Sequence, residues 1–355
     1  MINKIKDTDT RKIVDLDYLK KSKFPLLLYG AGKNASLIKH FLEGENIQID
    51  SVVTSKDFYN SNAYFYNSPV RLIDDVISEE SKVNIVFAFY KYREEMVRLS
   101  SCEKISKMFY FDVSLFTGFN KDFIENHYST LEELYFRLED DLSKEVLIAF
   151  IEAKKTLCSD TLYQLNVKSE KQYFPSFLNL SEKEVFVDCG AFDGDTSILF
   201  NELTNGKGKI YAFECDKVNV EKLKRNTSHL KNIEIIEKGC WSEKTTLFFS
   251  NDGTSSSRIG DGGQFHIAVD SIDNVMKGEV TLIKMDIEGS ELETLKGAKN
   301  TIQKYKPKLA ISVYHKQEDL ITIPQYILSL NQNYKLYLRH YGEIADETIL
   351  YAVIE

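Results

Sequence analysis

The stretch Val185–Thr196, VFVDCGAFDGDT, decides the fold of the larger part of the chain and raises a question about its ligand. It begins as a buried strand and ends in a glycine turn of the kind that leads from a parallel strand into a helix. Such turns usually bind phosphate through free backbone N–H groups. Three carboxylates, Asp188, Asp193 and Asp195, would repel a phosphate here, so the sequence indicates a ligand of another charge.

Strands and helices alternate on the carboxyl side of this stretch. The apolar runs EVFVD, KIYAFE, NIEIIE, TLIKMD and KLAISVY predict five parallel strands, with TTLFFS as an inserted strand. The last two runs, YKLYLRHY and ETILYAVIE, are joined by so short a gap that they must pair antiparallel. The fold class is therefore α/β, with the Rossmann-like, mostly parallel seven-stranded sheet of a class I methyltransferase that ends in an antiparallel hairpin.

A second, smaller alternation occupies residues 24–115 and predicts an N-terminal Rossmann-like α/β domain. Helical apolar spacing follows from residue 121 to residue 165. We therefore predict a Rossmann-like domain at 1–118, a helical linker at 119–170 and a methyltransferase domain at 171–355.

The N-terminal domain has its own glycine loop, Gly30-Ala31-Gly32, directly after a strand. This loop contains no acid and is followed by Lys33, which suits a phosphate better than the second loop does. However, the next strand lacks the terminal acid that binds the ribose in a dinucleotide site. Nucleotide binding and a purely structural turn both stay open.

Another acid follows the second strand of the larger domain, where KIYAFE ends at Glu214. A carboxylate at that point can accept both hydroxyls of a ribose. A ligand with an adenosine, an ammonium group and a cationic sulfur, but no phosphate, fits the acids of both loops. We therefore predict S-adenosylmethionine as the cofactor, with Asp188 and Asp193 near its cationic groups and Asp195 as a helix cap.

The remaining cofactor candidates lie in the same loops and in the turns after neighbouring strands. Gly190 and Gly194 permit close backbone approach. Trp241, the single tryptophan, is interpreted either as a wall of the adenine pocket or as a core residue. The complete predicted set is Tyr173, Asp188, Gly190, Ala191, Phe192, Asp193, Gly194, Thr196, Glu214, Cys215, Cys240, Trp241 and Asp286.

From about residue 170 to residue 355 the chain resembles the FkbM family of S-adenosylmethionine-dependent methyltransferases. The resemblance rests on EVFVDCGAFDGDT, YAFE, VDSIDN, PKLAISVYHKQEDL, YLRHY, ETILYAV and, most specifically, LIKMDIEGSELETLKGA. It implies O-methylation of a hydroxyl on a sugar or secondary metabolite. Relatives show an aromatic pair like Tyr173-Phe174, which either closes over the sulfonium or packs in the core. Cys215 stands where many relatives have proline, and this leaves Glu214 in place.

Two residues are predicted to be catalytic. Asp286 ends the strand TLIKMD and His315 follows the strand KLAISVY, so both lie at the carboxyl edge where ligands collect in open α/β sheets. A positioned base contributes about 10²–10⁴-fold to rate. His315 is our first candidate for the base, and Asp286 is the second. The alternatives are a histidine satisfied by structural hydrogen bonds and an aspartate that orients the cofactor.

The turn after this strand argues for oxygen as the methyl acceptor. Asp286-Ile287-Glu288-Gly289 stands where nucleic-acid amino methyltransferases typically have a Pro-Pro-aromatic turn, and no proline precedes a cysteine, as carbon methylation of cytosine requires. Ser290 and Glu293 form the S-x-x-E pattern that predicts a capping box.

Four positions are predicted to bind the acceptor: Lys284, Glu288, Arg339 and His340. Lys284 lies within a buried strand, so an ion pair with Asp270, Asp273 or Glu288 is its first interpretation. Arg339 and His340 either face the acceptor or are polar residues at a strand edge. Asp286, Glu288, Glu291, His315 and Asp319 could form an oxygen-rich metal site, but these carboxylates have other uses and we expect no metal there.

Composition limits the partners. A net charge of −9 and a pI near 5.4 disfavour nucleic acid, and no apolar run is long enough to span a membrane. The N-terminal MINKIKDTDTRK lacks a signal-peptide apolar region, and five scattered cysteines favour a reducing cytoplasm. The predicted partner is a sugar or glycan acceptor, and a homo-oligomer stays open. The alternative function is a non-catalytic cofactor- or nucleotide-sugar-binding module of a glycan pathway.

Overall fold

The computed structural model describes residues 14–116, 121–168, 170–250, 258–259 and 265–354. The expectation about the N-terminal MINKIKDTDTRK and the domain boundary at 118–119 fall outside these ranges. The chain divides into two compact units: Met1–Asn126, Ile148–Gln164 and Glu343–Ala345 form the first, and His127–Leu147, Leu165–Gly342 and Asp346–Glu355 form the second. The predicted domain limits stay a prediction.

The first unit contains a six-stranded sheet, which confirms the predicted N-terminal α/β architecture. Its strands are β1 (Leu26–Tyr29), β2 (Ser51–Thr54), β3 (Tyr64–Phe65), β4 (Ser68–Leu72), β5 (Val83–Phe87) and β6 (Ile105–Tyr110), in the order β3-β4-β2-β1-β5-β6. Among the pairs formed by these described strands, β3–β4 alone is antiparallel. The helices are α1 (Val14–Lys21), α2 (Lys33–Gly44), α3 (Ile73–Glu79), α4 (Tyr92–Leu99) and α5 (Lys121–Asn126).

Strands β3 and β4 were not predicted. Ser68 and Pro69 begin β4, and both are exposed, so the segment has the composition of a turn. Its strand conformation comes from parallel pairing with β2, in which Val70 lies opposite Val52.

The second unit contains the predicted seven-stranded sheet. Its strands are β7 (Val185–Cys189), β8 (Lys209–Phe213), β9 (Ile233–Ile236), β14 (Leu282–Met285), β15 (Lys308–Ser312), β16 (Lys335–His340) and β17 (Thr348–Val353), in the order β16-β17-β15-β14-β7-β8-β9. Strands β7, β8, β9, β14 and β15 are parallel, whereas β16 and β17 form the antiparallel hairpin. The predicted fold class is thus confirmed.

Four further strands form a separate sheet, and one of them is the inserted strand TTLFFS that the sequence predicted. They are β10 (Gly239–Cys240), β11 (Thr245–Ser250), β12 (Arg258–Ile259) and β13 (Phe265–Asp270), in the order β10-β13-β11-β12.

The remaining helices lie between the strands of the second unit or before them. They are α6 (Tyr128–Arg137), α7 (Asp141–Thr156), α8 (Asp160–Gln164), α9 (Asp195–Leu203), α10 (Lys217–Asn226), α11 (Ile272–Val275), α12 (Glu291–Lys296), α13 (Lys299–Tyr305) and α14 (Asp319–Leu330). Helix α7 contributes residues to both units and α8 belongs to the first. Among the described residues, no helix combines the length and apolar composition that crossing a membrane requires.

Strands β14 and β15 show why the parallel strands appear in the sequence as continuous apolar runs. All four residues of β14 are buried, as are the last four of β15, because helices cover both faces of such a sheet. The register places Lys284 of β14 opposite Asp188 of β7. The carboxyl ends of β7, β8, β14 and β15 therefore share one edge, and the loops that follow them carry the predicted site.

Gly190 leaves this edge with a φ of +81°. A Cβ atom there would lie 2.2 Å from the Asp286 carbonyl oxygen, so the two loops touch through backbone alone. Only glycine fits, both for the backbone conformation and for the close approach.

We predict that Gly190→Ala lowers the free energy of unfolding by at least about 2 kcal/mol, from left-handed backbone strain and the clash with Asp286. The control is Gly278→Ala, which meets nothing within 4 Å. It should change stability by less than about 1 kcal/mol. Denaturant unfolding followed by Trp241 fluorescence measures both, and equal effects of the two substitutions would contradict the proposed contact.

Candidate active site

The loop between β7 and α9 is held by backbone hydrogen bonds to the neighbouring strand. The N–H groups of Gly190 and Ala191 donate to the Phe213 carbonyl oxygen at 3.1 and 2.9 Å. Phe192 has a φ of +48° and its side chain is 44% exposed. The loop thus presents its apex, with Phe192 on it, to solvent.

Asp195 does not cap helix α9 as predicted. The N-cap residue is Gly194, whose φ is +93°, and no side chain accepts a capping hydrogen bond there. Asp195 lies one residue later, where its Oδ1 accepts the N–H of Thr196 at 2.6 Å. Asp193 Oδ1 in turn accepts the N–H of Asp195 at 3.4 Å. Both acids therefore serve the helix start in this structure.

Glu214 connects the loop that follows β8 with the loop between β7 and α9. Its Oε1 accepts the N–H groups of Cys215 and Asp216 at 2.9 and 2.8 Å, and its Oε2 accepts the N–H of Phe192 at 2.9 Å. Burial raises the pKa of Glu214, while these three N–H groups oppose that shift. Because a carboxylate has about four acceptor positions, Glu214 can accept one further hydroxyl without releasing the loop.

Asp188 and Lys284 form a buried ion pair across β7 and β14. Lys284 Nζ lies 3.1 Å from Asp188 Oδ1 and donates to the Gly190 carbonyl oxygen at 2.7 Å. Asp188 Oδ2 accepts the Ser197 hydroxyl at 2.8 Å. Burial alone would lower the pKa of Lys284, but Asp188 and Asp286 raise it above its usual value, so the ammonium stays charged.

The predicted partners of Lys284 were wrong. Asp270 instead pairs with Lys238 at 2.7 Å, and Asp273 accepts backbone N–H groups at the start of α13. Strand register explains the difference, because it sets Lys284 beside Asp188, a neighbour that spacing along the chain does not reveal. This pairing also assigns Asp188 a structural partner, and its contact with the cofactor stays a prediction.

Beside this pair lies a group that we call the carboxylate–histidine cluster: Asp286, Glu288, Glu291 and His315. His315 Nδ1 lies 2.8 Å from Glu291 Oε1, and His315 Nε2 lies 3.4 Å from Asp286 Oδ1 and 3.8 Å from Glu288 Oε2. The His315 side chain is 5% exposed and that of Glu291 is fully buried. The structure thus brings together both predicted catalytic residues and the predicted acceptor residue Glu288.

The capping box of helix α12 predicted from Ser290 and Glu293 was wrong, and the neighbouring Glu291 belongs to the cluster. Ser290 is the N-cap but its side chain makes no capping hydrogen bond. Glu291 Oε1 instead accepts the N–H of Ile287 at 3.0 Å, in addition to its contact with His315. The sequence predicts no role for Glu291 outside a possible metal site, because an acid in a first helical turn ordinarily interacts with the helix dipole.

Two phenols hold Asp286. The Tyr173 hydroxyl donates to Asp286 Oδ2 at 2.7 Å and the Tyr314 hydroxyl to Oδ1 at 3.2 Å. Burial would raise the pKa of Asp286, but Lys284, His315 and the Tyr173 hydroxyl lower it below its usual value, so the carboxylate is ionised at neutral pH. Tyr314 was not predicted as a site residue, although its position next to His315, at the end of a parallel strand, indicates that it lies at the same edge of the sheet.

The pKa of His315 differs from that of a free histidine. Burial would lower its pKa, but Glu291, Asp286 and Glu288 together raise it to about 9. With this raised pKa the ring is protonated at neutral pH. It would have to lose this proton before it could act as the predicted base.

The other predicted cofactor residues lie around the small sheet and in the core. Cys215 and Trp241 pack against the Ile267–Val269 side of β13, and Cys240 is buried in β10. Phe174 packs against Phe186 in the core, whereas Tyr173 reaches Asp286.

The predicted acceptor residues Arg339 and His340 are both buried. Arg339 forms an ion pair with Asp140 at 2.6 Å, and His340 Nδ1 lies 3.0 Å from the Thr348 hydroxyl oxygen. Neither has the exposure expected at an acceptor entrance, so the structure gives no support to this role.

In the first unit, Gly30 has a φ of +118° and Gly32 is the N-cap of α2. The Tyr29 hydroxyl donates to Glu95 Oε2 at 3.0 Å. The φ of Gly30 and the N-cap position of Gly32 are those of a tight strand-to-helix turn, and the question of a nucleotide there stays open.

The sheet order, the terminal hairpin and the acidic edge together define a class I methyltransferase-like domain. Residues 188–342 match the family model described as the methyltransferase FkbM domain. The C-terminal half of this chain thus contains an FkbM-family domain, a family of S-adenosylmethionine-dependent methyltransferases, and the resemblance read from the sequence is confirmed.

Among solved structures, the chain is similar to methyltransferase FkbM from Methylobacillus flagellatus KT, with 23% identity, a TM-score of 0.77 and coverage of 96% of this chain and 92% of that one. This likeness shows that the two proteins share a fold along nearly their whole length. A ribosomal RNA methylase from Streptococcus thermophilus aligns with 16% identity and a TM-score of 0.36 over 52% of this chain and 98% of that one. No curated protein matches the chain.

Burial lowers the pKa of His340 to about 4, from an ordinary value of 6.5. The folded protein therefore binds fewer protons at this position than the unfolded chain between pH 6.5 and pH 4, and stability falls as pH falls through that window. We predict a loss of about 3 kcal/mol from this residue between pH 7 and pH 4.

Denaturant unfolding of wild type and His340→Asn at the two pH values, followed by Trp241 fluorescence, measures this loss. The variant should lose about 3 kcal/mol less than wild type on acidification. His229→Asn, at an exposed position, should behave as wild type. An identical acid sensitivity of His340→Asn and wild type would contradict the prediction.

Proposed function

We propose that the second unit binds S-adenosylmethionine and directs its methyl group to a hydroxyl oxygen of a sugar, in a glycan or a glycosylated metabolite. The observation that carries this proposal is the approach of His315 Nε2 to within 3.4 Å of the ionised Asp286, at the loop edge that Glu214 also serves. The cofactor supplies the activated methyl group on a cationic sulfur. The chain must bind and orient it, and must assist removal of the proton from the acceptor hydroxyl.

Glu214 is the proposed ribose ligand. It ends the strand next to β7, and its carboxylate retains acceptor capacity while it holds the loop at Phe192. The loop around Gly190 lies beside it, and the net negative charge of the edge favours a cationic ligand over a phosphate. These features fit the cofactor of the family that the domain belongs to.

Asp286 and His315 are the proposed catalytic pair. Tyr173 and Tyr314 fix the Asp286 carboxylate, and Glu291 fixes the His315 ring, so both groups are oriented before any ligand binds. Such preorganised groups lower the cost of developing charge on an acceptor oxygen. The sugar as acceptor is supported by the absence of the sequence features of nucleic-acid methylation and by the net charge of −9.

The five free thiols agree with a reducing compartment, and we propose that the reaction takes place in the cytoplasm. The competing function, a binding module without catalysis, differs in one observable: it would bind the cofactor and yield no methylated product from any glycan.

We predict that Glu214→Ala weakens S-adenosylmethionine binding by about 10–100-fold, because a hydrogen bond to a charged group is worth about 1.5–3 kcal/mol. Calorimetric titration measures the dissociation constant. Glu221→Ala, which removes an exposed carboxylate from the following helix, is the matched control and should leave it unchanged. Unchanged affinity of the Glu214 variant would show that the ribose lies elsewhere.

His315→Ala should reduce turnover by about 10²–10⁴-fold while the cofactor dissociation constant stays within about threefold. Turnover is followed as transfer of labelled methyl from S-adenosylmethionine into glycan extracts of the producing cells. His229→Ala, an exposed histidine, is the control. Full activity of the His315 variant would remove this residue from the mechanism.

A further inference from the structure

We infer that the carboxylate–histidine cluster is a divalent-cation site, with His315 Nε2 and one oxygen each of Asp286 and Glu288 as ligands. This inference deepens the proposed function and rests on it for the role of the cation. The site itself stands on the contacts of the cluster.

The orientation of the imidazole is the first argument. Glu291 Oε1 lies 2.8 Å from Nδ1, so the proton of the neutral ring belongs on Nδ1 and the lone pair on Nε2. A carboxylate that accepts from one ring nitrogen while the other binds a metal is the usual arrangement of metal-bound histidines. Glu291 is therefore a positioning residue, and Nε2 is the ligand atom.

The second argument is that Nε2 is buried and has no hydrogen-bond partner among the residues that the structure describes. The side chain to which it belongs is 5% exposed, and it faces two carboxylates at 3.4 and 3.8 Å. Buried polar atoms without a partner are rare in folded proteins, and one of the accepted explanations is an ion.

The third argument is distance. With metal–ligand bonds of about 2.1 Å, ligands at right angles lie about 3.0 Å apart and opposite ligands about 4.2 Å apart. The separations of 3.4 Å from Nε2 to Asp286 Oδ1 and 3.8 Å to Glu288 Oε2 fall between these limits. One atom from each of Asp286, Glu291 and His315 also lies within 4.8 Å of the others, with Glu291 at Nδ1 of the ring and Asp286 at Nε2.

The surroundings of Asp286 agree with a metal ligand. Its two oxygens accept the Tyr173 and Tyr314 hydroxyls, and such supporting hydrogen bonds orient ligating carboxylates. Lys284, which also interacts electrostatically with Asp286, is paired with Asp188. Three carboxylates of the cluster thus face a single imidazole.

A donor set of one imidazole nitrogen and two carboxylate oxygens suits Mn²⁺ and cations of similar hardness better than soft thiolate-seeking metals. Three protein ligands leave coordination positions open. A hydroxyl of the acceptor bound there would have a lowered pKa, as water does on a metal. In this account His315 acts on the acceptor through the cation and not as the base: the hydroxyl proton would pass to solvent, the oxygen would bond to the methyl carbon, and the sulfur of the cofactor would keep the electron pair of the broken S–C bond.

The test is titration of the full-length protein with Mn²⁺, with free Mn²⁺ measured by electron paramagnetic resonance. We expect one Mn²⁺ per chain, at least about tenfold weaker binding by His315→Gln and Asp286→Asn, and about 10–100-fold weaker binding by Glu291→Gln. His229→Gln is the matched control and should bind as wild type. Circular dichroism and the unfolding midpoint of each variant show that the fold is retained.

Absence of Mn²⁺ binding up to millimolar concentration would overturn the inference, as would equal binding by wild type and a folded His315→Gln. A second measurement separates this result from the proposed function. Protein treated with EDTA should still bind S-adenosylmethionine but lose methyl transfer, with recovery on addition of Mn²⁺. Full transfer in EDTA would overturn the cation site and leave the proposed function standing, whereas methyl transfer absent in both EDTA and Mn²⁺ would count against the proposed function.

Discussion

The buried pair of Lys284 and Asp188 is the constraint on which the site depends. Both side chains are almost completely removed from water. In such a buried pair, removal of one partner costs about 3–5 kcal/mol of folding stability. The pair therefore favours the register in which β14 and β7 place these residues opposite each other. The same ammonium donates to the Gly190 carbonyl oxygen, so one interaction fixes both the strands and the start of the glycine turn.

The rest of the edge follows from that register. Asp286 is two residues beyond Lys284, and the backbone at Asp286 approaches Gly190 so closely that no side chain fits between them. The neighbouring strands then bring Glu214 on one side and His315 on the other. A sheet edge that would otherwise suit a phosphate thereby acquires an excess of carboxylates, and these favour cationic ligands. The three aspartates of the glycine turn are explained by the edge as a whole. Its carboxylates favour a cationic ligand, and Asp188 is already paired with Lys284.

The sequence predicted the fold and the neighbourhood of the site well, because both depend on local signals. The parallel strands, the terminal hairpin, and the meeting of Asp286 with His315 follow from apolar runs and from the rule that parallel strands share a carboxyl edge. Contacts between residues on different strands were harder to predict from the sequence. The partner of Lys284 depends on register, and the role of Glu291 depends on how α12 begins, neither of which leaves a periodic pattern. Burial of Arg339 and His340 was missed because polar residues in a hairpin are usually exposed.

The central claim is that the acids of this edge select a cationic adenosine ligand over an anionic one. It is tested most directly by displacement of bound S-adenosylmethionine, measured calorimetrically in EDTA, with ATP as competitor. The two ligands share adenosine and differ in the charge attached to it, and following the displaced ligand keeps any nucleotide site in the first unit out of the measurement. We predict no displacement by a roughly 100-fold excess of ATP. Displacement by ATP at a concentration comparable to that of S-adenosylmethionine would contradict the account.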